Sequence, residues 1–199
     1  TEDVMRLVIL TQYFPPEVGA PQNRLYELAV RLQRKGVKVS VLTAMPNYPQ
    51  MKVYPEYKGK HYVRETMEGM EVLRCWIYAS KSKSVVKRLA NYFSFVFSSL
   101  FHGLIHLKKQ DILLVESPPL FLGMTAYLLS VAKGAKMVFN VSDLWPESAE
   151  KLGIISNKFL LGVAKVLEEF CYKRAKLVSG QTQGIVNNIS KRFPKKDVY

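Results

Sequence analysis

Cysteine is scarce in this 199-residue chain, with Cys75 and Cys171 the only two. Neither stands at metal-ligand spacing, and one pair makes no disulfide framework, so a reduced cytosolic compartment is expected and no disulfide. The amino end lacks a long apolar run, since Leu7 to Leu10 is too short for the core of a secretory signal. Met5 is read as the natural first residue, with Thr1 to Val4 as remains of cloning. Glycine-rich fingerprints are also missing. No G-x-G-x-x-G occurs, the second predicted strand ends in Thr43-Ala44-Met45 without a ribose-holding carboxylate, and there is no G-x-x-x-x-G-K-[ST]. Dinucleotide chemistry is demoted and a P-loop is excluded. Histidine is limited to His61, His102 and His106. The last two lie four apart on a predicted helix, but no third ligand is identifiable, so no metal is expected. No Ser-His-Asp or Cys-His arrangement can be assembled. Acidic residues are outnumbered 16 to 29, a formal net charge of +13. That balance predicts an anionic partner: nucleic acid, phospholipid or phosphorylated substrate.

What is present is an ordinary globular composition, 48% hydrophobic, with strands and helices in alternation. Arg6 to Thr11, Val37 to Thr43, "DILLVES", "KMVFNVS" and "KLVSG" read as strands. Helices are predicted over Asn23 to Lys35, Val85 to Leu107, Leu120 to Lys133, Lys158 to Lys173 and Gln183 to Lys191, with Gly36 and Gly134 as stops. His61 to Tyr78 reads as a β-hairpin turning at Glu68-Gly69. Strands separated by helices imply right-handed crossovers, so the fold expected is α/β: a Rossmann-like, doubly wound parallel sheet in one domain, residues 1–199. The final "FPKKDVY" reads as the beginning of a further strand.

In such a sheet, ligands bind beyond the carboxyl ends of the strands. Four loops are selected: Gln12 to Gln22, Ala44 to Tyr57, Glu116 to Pro119, and Ser142 to Glu147. In the first, Gly19 lets backbone approach a phosphate at a helix N-terminus, or simply serves a strand-to-helix turn. Arg24, at the start of the helix, points toward a ligand phosphate or is solvated. Asn47 and Tyr48 offer an amide and an aromatic plate to a sugar-sized ligand in a proline-stiffened loop, or form a rigid surface loop. Glu116 contacts a ligand hydroxyl or is solvated. Asp143, in "NVSDLWPES", is the favoured active-site carboxylate, with a local turn as the alternative. Pro146 is expected at the first position of a short helix, which frees Asp143 to face the cleft.

No acidic residue lies between Glu71 and Asp111, a span holding Lys81, Lys83, Lys87, Arg88, Lys108 and Lys109. Within it, "LANYFSFVFSSLFHGLIHL" is long enough to cross a membrane. However, Lys87, Asn91, Ser94, Ser98, His102 and His106 form one polar stripe, and Phe93, Phe97 and Phe101 belong to a wide apolar arc. An in-plane helix on an anionic membrane fits both features. The other reading is a core helix covered by a further domain or a second subunit. Nucleic acid fits poorly, because the aromatics are not interleaved with the cations.

"YFPPEVGAPQNRLYELAVRLQRKGVKVSVLT", "PNYPQMKVYPEYKG", "EGMEVLR" and "SDLWPES" together resemble the retaining GT-B-fold glycosyltransferases of family 4. Within these, the resemblance is to bacterial members that build O-antigen, capsule or colanic acid. It covers essentially the whole chain, as the N-terminal, acceptor-side half of a GT-B enzyme. The resemblance implies a nucleotide-sugar donor as substrate and a glycan acceptor, often linked to polyprenyl diphosphate. It implies no cofactor or metal, and a peripheral place on the cytoplasmic face of the inner membrane. Gly19 and Ser142 would lie on the donor side, Asp143 by the reacting sugar, and Asn47, Tyr48, Arg24 and Glu116 on the acceptor side. Many relatives have histidine where this chain has Ser142, so no histidine role carries over. The donor-binding domain is expected to lie outside this chain, which alone is expected to be inactive. Two other readings stay open: an acceptor subunit of a split glycosyltransferase, and a non-enzymatic, anion-binding Rossmann-like module.

Overall fold

The computed structural model describes residues 4–199, so Thr1 to Asp3, and with them most of the proposed cloning remnant, lie outside the described residues. The β-branched run Arg6–Leu10 is β1, and Lys38–Ala44 is β2; beyond their first residues both strands are buried throughout. That is the pattern of parallel strands covered on both faces. Between them α1 runs from Ala20 to Arg34. It begins three residues earlier than the sequence suggests, because Pro21 is well tolerated in a first turn, where its missing N–H costs nothing. The hairpin forms as expected: β3 (Tyr62–Met67) and β4 (Met70–Cys75) turn at Glu68 and Gly69, both with positive φ, as a two-residue hairpin turn requires.

Helix α2 (Val85–His106) leads back to β5 (Ile112–Ser117), and α3 (Leu122–Lys133) ends on a left-handed Gly134 before β6 (Lys136–Val141). The short α4 (Glu147–Lys151) and then α5 (Lys158–Arg174) precede β7 (Leu177–Gly180) and α6 (Gln183–Arg192). The seven strands lie in the order β3-β4-β2-β1-β5-β6-β7, and only the edge strand β3 is antiparallel. Leu25 and Ala29 of α1 pack on one face of the sheet over Leu7, Ile9, Val39 and Val41. Phe95, Leu129, Ala164 and Tyr172, from α2, α3 and α5, pack on the other over Val8, Leu10, Val115 and Phe139. Two glycines permit this closeness: a Cβ on Gly123 would strike Cys171 Sγ, and one on Gly103 would lie 2.7 Å from Leu129 Cδ1. Cys75 and Cys171 are free, buried thiols, and burial pushes the latter's pKa up to about 12. Val198 forms a parallel bridge with Val178, so pairing does continue into the last residues.

Candidate active site

With β3 as the exception, the carboxyl ends of the strands share one edge, and it gathers the four selected loops. At its centre a charged network joins four elements. Glu116, at the end of β5, is buried. It accepts from Arg24 Nη2 at 2.7 Å, from Asn140 Nδ2 at 2.6 Å and from the Ser142 hydroxyl. Ser179 of β7 donates to Asn140 at 2.7 Å, and Arg24 also reaches Ser142 (3.2 Å) and Gln181. Burial raises the Glu116 pKa, and the Arg24 guanidinium and Asn140 amide hold it back. The sequence reading had Glu116 and Arg24 as separate ligand contacts or solvated groups. They are one ion pair under the cleft, with Arg24 turned sideways across the sheet. Its side chain keeps 31% exposure. Asn140 went unnoticed because a polar residue inside a strand gives no motif.

A second network fixes the loops after β1 and β2. Glu17 is buried and accepts the N–H groups of Asn47 (2.6 Å) and Tyr48 (3.1 Å), while its other oxygen has no partner among the described residues. Its pKa is raised by burial, against those hydrogen bonds. The Asn47 side chain is fully buried and donates to the Met45 carbonyl at 2.9 Å. It therefore fastens the loop instead of offering its amide to a ligand, a correction to the sequence reading. Tyr48 does stand at the surface, edge-on to Tyr13 at 5.7 Å. Below them Arg74 is wholly buried, bonded to Glu65 and to the Pro15 carbonyl, with its guanidinium 5.4 Å from the Tyr57 ring centre. Neither Glu17 nor Arg74 was picked from sequence; an arginine inside the strand pattern "EVLRC" was the available signal.

Asp143 lies one residue beyond Ser142, exposed, with no hydrogen bond or ion pair among the described residues. Trp145 is buried edge-on against Tyr92 (5.6 Å) and Phe121 (6.1 Å), and so anchors the loop that carries Asp143. Pro146 sits just before α4, and Glu147 is the first helical residue; the expected register is off by one. Gly19 is the N-cap of α1 in extended backbone, so no left-handed conformation requires glycine there. The first turn of α1 has no acidic residue and no side-chain cap, leaving its positive dipole end open to an anion.

Helix α2 leaves part of its apolar arc outward. Its polar stripe mostly faces the protein: Asn91 is buried between Gln12 (2.9 Å) and the Tyr78 carbonyl (2.7 Å), and His102 and His106 stack on Tyr62. Apolar residues face out, with Phe97 62% and Phe101 60% exposed beside Leu104 and Ile105. Phe93 is half-buried against Phe121, at 4.8 Å. Among the described residues no helix is long and apolar enough to cross a membrane. The cations divide. Lys81, Lys83, Lys87 and Arg88 edge a cavity of about 310 Å³ on the cleft side. Lys108 and Lys109 follow the other end of this 22-residue helix, about 33 Å away, where Lys108 borders a cavity with Arg6, Lys38 and Glu71. That second cavity is the larger, about 410 Å³. It lies at the amino ends of the strands, the wrong edge for a ligand site in this topology.

Residues 19–198 match the family described as "Glycosyl transferase 4-like domain". The chain belongs to that family. It is 32% identical over 152 residues to "Putative colanic acid biosynthesis glycosyl transferase WcaI" of Escherichia coli (strain K12), an alignment covering 75% of this chain and 37% of the relative. Its fold is similar to that of the catalytic domain of starch synthase IV from Arabidopsis thaliana, bound to ADP and acarbose. There the TM-score is 0.56 at 16% identity, covering 89% of this chain and 45% of that one. The glycosyl transferase 4-like domain thus has the α/β, mostly parallel architecture of one half of a GT-B fold, and spans less than half the length of either protein.

Proposed function

We propose that this domain is the acceptor-side half of a retaining glycosyltransferase. In this reading the enzyme moves a sugar from a nucleotide-sugar donor to a lipid-linked glycan of a cell-surface polysaccharide such as colanic acid, O-antigen or capsule. The observation that carries it is Asp143: within a glycosyl transferase 4-like domain, an exposed, unpaired carboxylate at the end of β6, on a loop anchored by buried Trp145. The donor diphosphate would lie by Gly19 at the open N-terminus of α1. A donor-binding domain beyond the present chain would supply the remaining charge on the leaving diphosphate, the main source of rate, with no metal needed. The bond from the anomeric carbon to the diphosphate oxygen breaks with its electron pair leaving on the diphosphate, the acceptor hydroxyl oxygen bonds that carbon on the same face, and the hydroxyl proton passes to the leaving diphosphate. Asp143 would orient the transferred sugar or stabilise its developing positive charge. Glu116, held by Arg24 and Asn140, would keep Ser142 and the Asp143 loop in register.

The exposed Phe97 and Phe101, with Lys108 and Lys109 at the far end of α2, suit a peripheral place on the cytoplasmic face of an anionic membrane. The test is transfer of labelled sugar to a lipid-linked acceptor. Asp143→Ala and Asp143→Asn in the chain joined to its donor-binding half should lower kcat by at least about a hundredfold with unchanged Tm. Unchanged transfer would leave Asp143 a turn residue. Transfer by residues 1–199 alone would overturn the division into halves.

A further inference from the structure

We propose that the cleft-side cavity at the start of α2 binds a phosphate-bearing group, the diphosphate of the acceptor. This rests on the glycosyltransferase reading and names the substrate group its acceptor side takes. Lys81, Lys83, Lys87 and Arg88 edge the cavity, and Tyr13 and Asn91 also line it. None of the four cations makes an ion pair with a carboxylate among the described residues, and the sequence from 72 to 110 contains no acidic residue.

Folding alone does not explain this placement. A helix N-terminus disfavours positive charge, by about 0.3–1 kcal/mol per exposed cation. Yet α2 has no acidic residue in its first turn and no side-chain cap from Ser84. Four cations therefore line one cavity beside an uncapped helix N-terminus, with nothing negative between them. A bound phosphate reverses the sign of each of these interactions. The floor is polar and fixed. Asn91 is held by Gln12 and Tyr78. The Tyr13 hydroxyl accepts from Gln12 at 3.4 Å, which leaves its own proton to donate; burial raises its pKa, so the phenol stays protonated. Four cations suit the charge of a diphosphate better than that of a single phosphodiester. From this cavity the outward apolar residues of α2 lead away, and Phe97 lies ten residues, about 15 Å, along the axis from Lys87, a path for the lipid attached to the diphosphate.

The experiment measures binding of inorganic pyrophosphate to the chain by calorimetry at fixed ionic strength, with competition by farnesyl diphosphate in phosphatidylcholine vesicles and by phosphatidylglycerol vesicles. Saturable pyrophosphate binding is expected, weakened at least tenfold in K87Q/R88Q and less than twofold in K108Q/K109Q, which removes the same charge at the far end of α2. Farnesyl diphosphate should displace pyrophosphate, and phosphatidylglycerol should not. K87Q/R88Q should hold or raise the Tm of the free protein, since it removes positive charge from a helix N-terminus. Equal weakening by both double variants would reduce the effect to net charge and overturn the site, as would a loss of fold in K87Q/R88Q. Displacement by phosphatidylglycerol as strong as by farnesyl diphosphate would overturn the acceptor assignment in favour of a general headgroup site. Asp143 does not line this cavity, so failure of the Asp143 test leaves the pyrophosphate result standing.

Discussion

Removing Arg24 while keeping Glu116 is the sharpest perturbation of the cleft floor, because it strands a buried carboxylate. In Arg24→Met, Glu116 keeps Asn140 at 2.6 Å and the Ser142 hydroxyl but loses its cation at 2.7 Å. Breaking a fully buried pair from one side costs about 3–5 kcal/mol. The Arg24 side chain is 31% exposed, so water can replace part of the lost interaction, and about 1.5–2 kcal/mol is expected, the lower part of the range for a hydrogen bond to a charged group. For a domain of this size that lowers Tm by about 3–8 °C. The pH dependence has a definite sign. The folded-state pKa of Glu116 is already raised by burial and opposed by Arg24; without Arg24 it rises further. A carboxyl with a raised folded pKa binds its proton more tightly in the folded state, so its contribution to stability grows as pH falls through that pKa. The deficit of R24M should be complete at pH 7.5 and should shrink as the pH falls to 5. E116Q placed in the R24M background should restore most of the loss at pH 7.5. Urea unfolding followed by circular dichroism at several pH values measures all three proteins. A deficit independent of pH, or an E116Q change that adds to it, would refute the stranded-carboxylate account.

Arg74→Met should cost about 1.5–3 kcal/mol by urea unfolding, because it frees the Pro15 carbonyl and leaves Glu65, 27% exposed and so partly reached by water, without its buried partner. Gly123→Ala should cost about 1–3 kcal/mol, since the new methyl meets Cys171 Sγ. Adding Cys171→Ala should recover part of that loss, and a purely additive double variant would contradict the packing account. F97S/F101S should weaken flotation with phosphatidylglycerol vesicles at least about tenfold, given about 1.5–3 kcal/mol for each aromatic ring transferred. Its Tm should stay within about 2 °C, because both rings are already exposed in the free protein; a large Tm loss would mean that they pack against this chain.

The elements were legible in the sequence because each carries a local signal. Buried runs bounded by Gly and Pro gave β1, β2, β5 and β6, and Glu68-Gly69 marked the hairpin with the two positive-φ positions it needs. The parallel pairing of β4 with β2 followed no local signal; it depends on where α2 returns the chain. The loops at the carboxyl edge were found by topology, so Asp143, Ser142, Gly19 and Tyr48 were located without knowledge of their neighbours. What each side chain touches was not legible. Glu116 and Arg24 are 92 residues apart and Glu17 and Asn47 are 30 apart, and no periodicity relates such pairs. Helix α2 shows the same limit from another side. Periodicity identified a polar stripe and an apolar arc, but whether the stripe faces water depends on what the adjacent surface supplies. Gln12 and the Tyr78 carbonyl supply partners for Asn91, and the Tyr62 ring supplies a stacking surface for His102 and His106. Once the protein satisfies the stripe, the Phe97 and Phe101 side of the helix is what remains for the outside. The same rotation directs Asn91 into the cavity edged by Lys87 and Arg88, so the apolar outer face and the cationic pocket follow from one helix orientation.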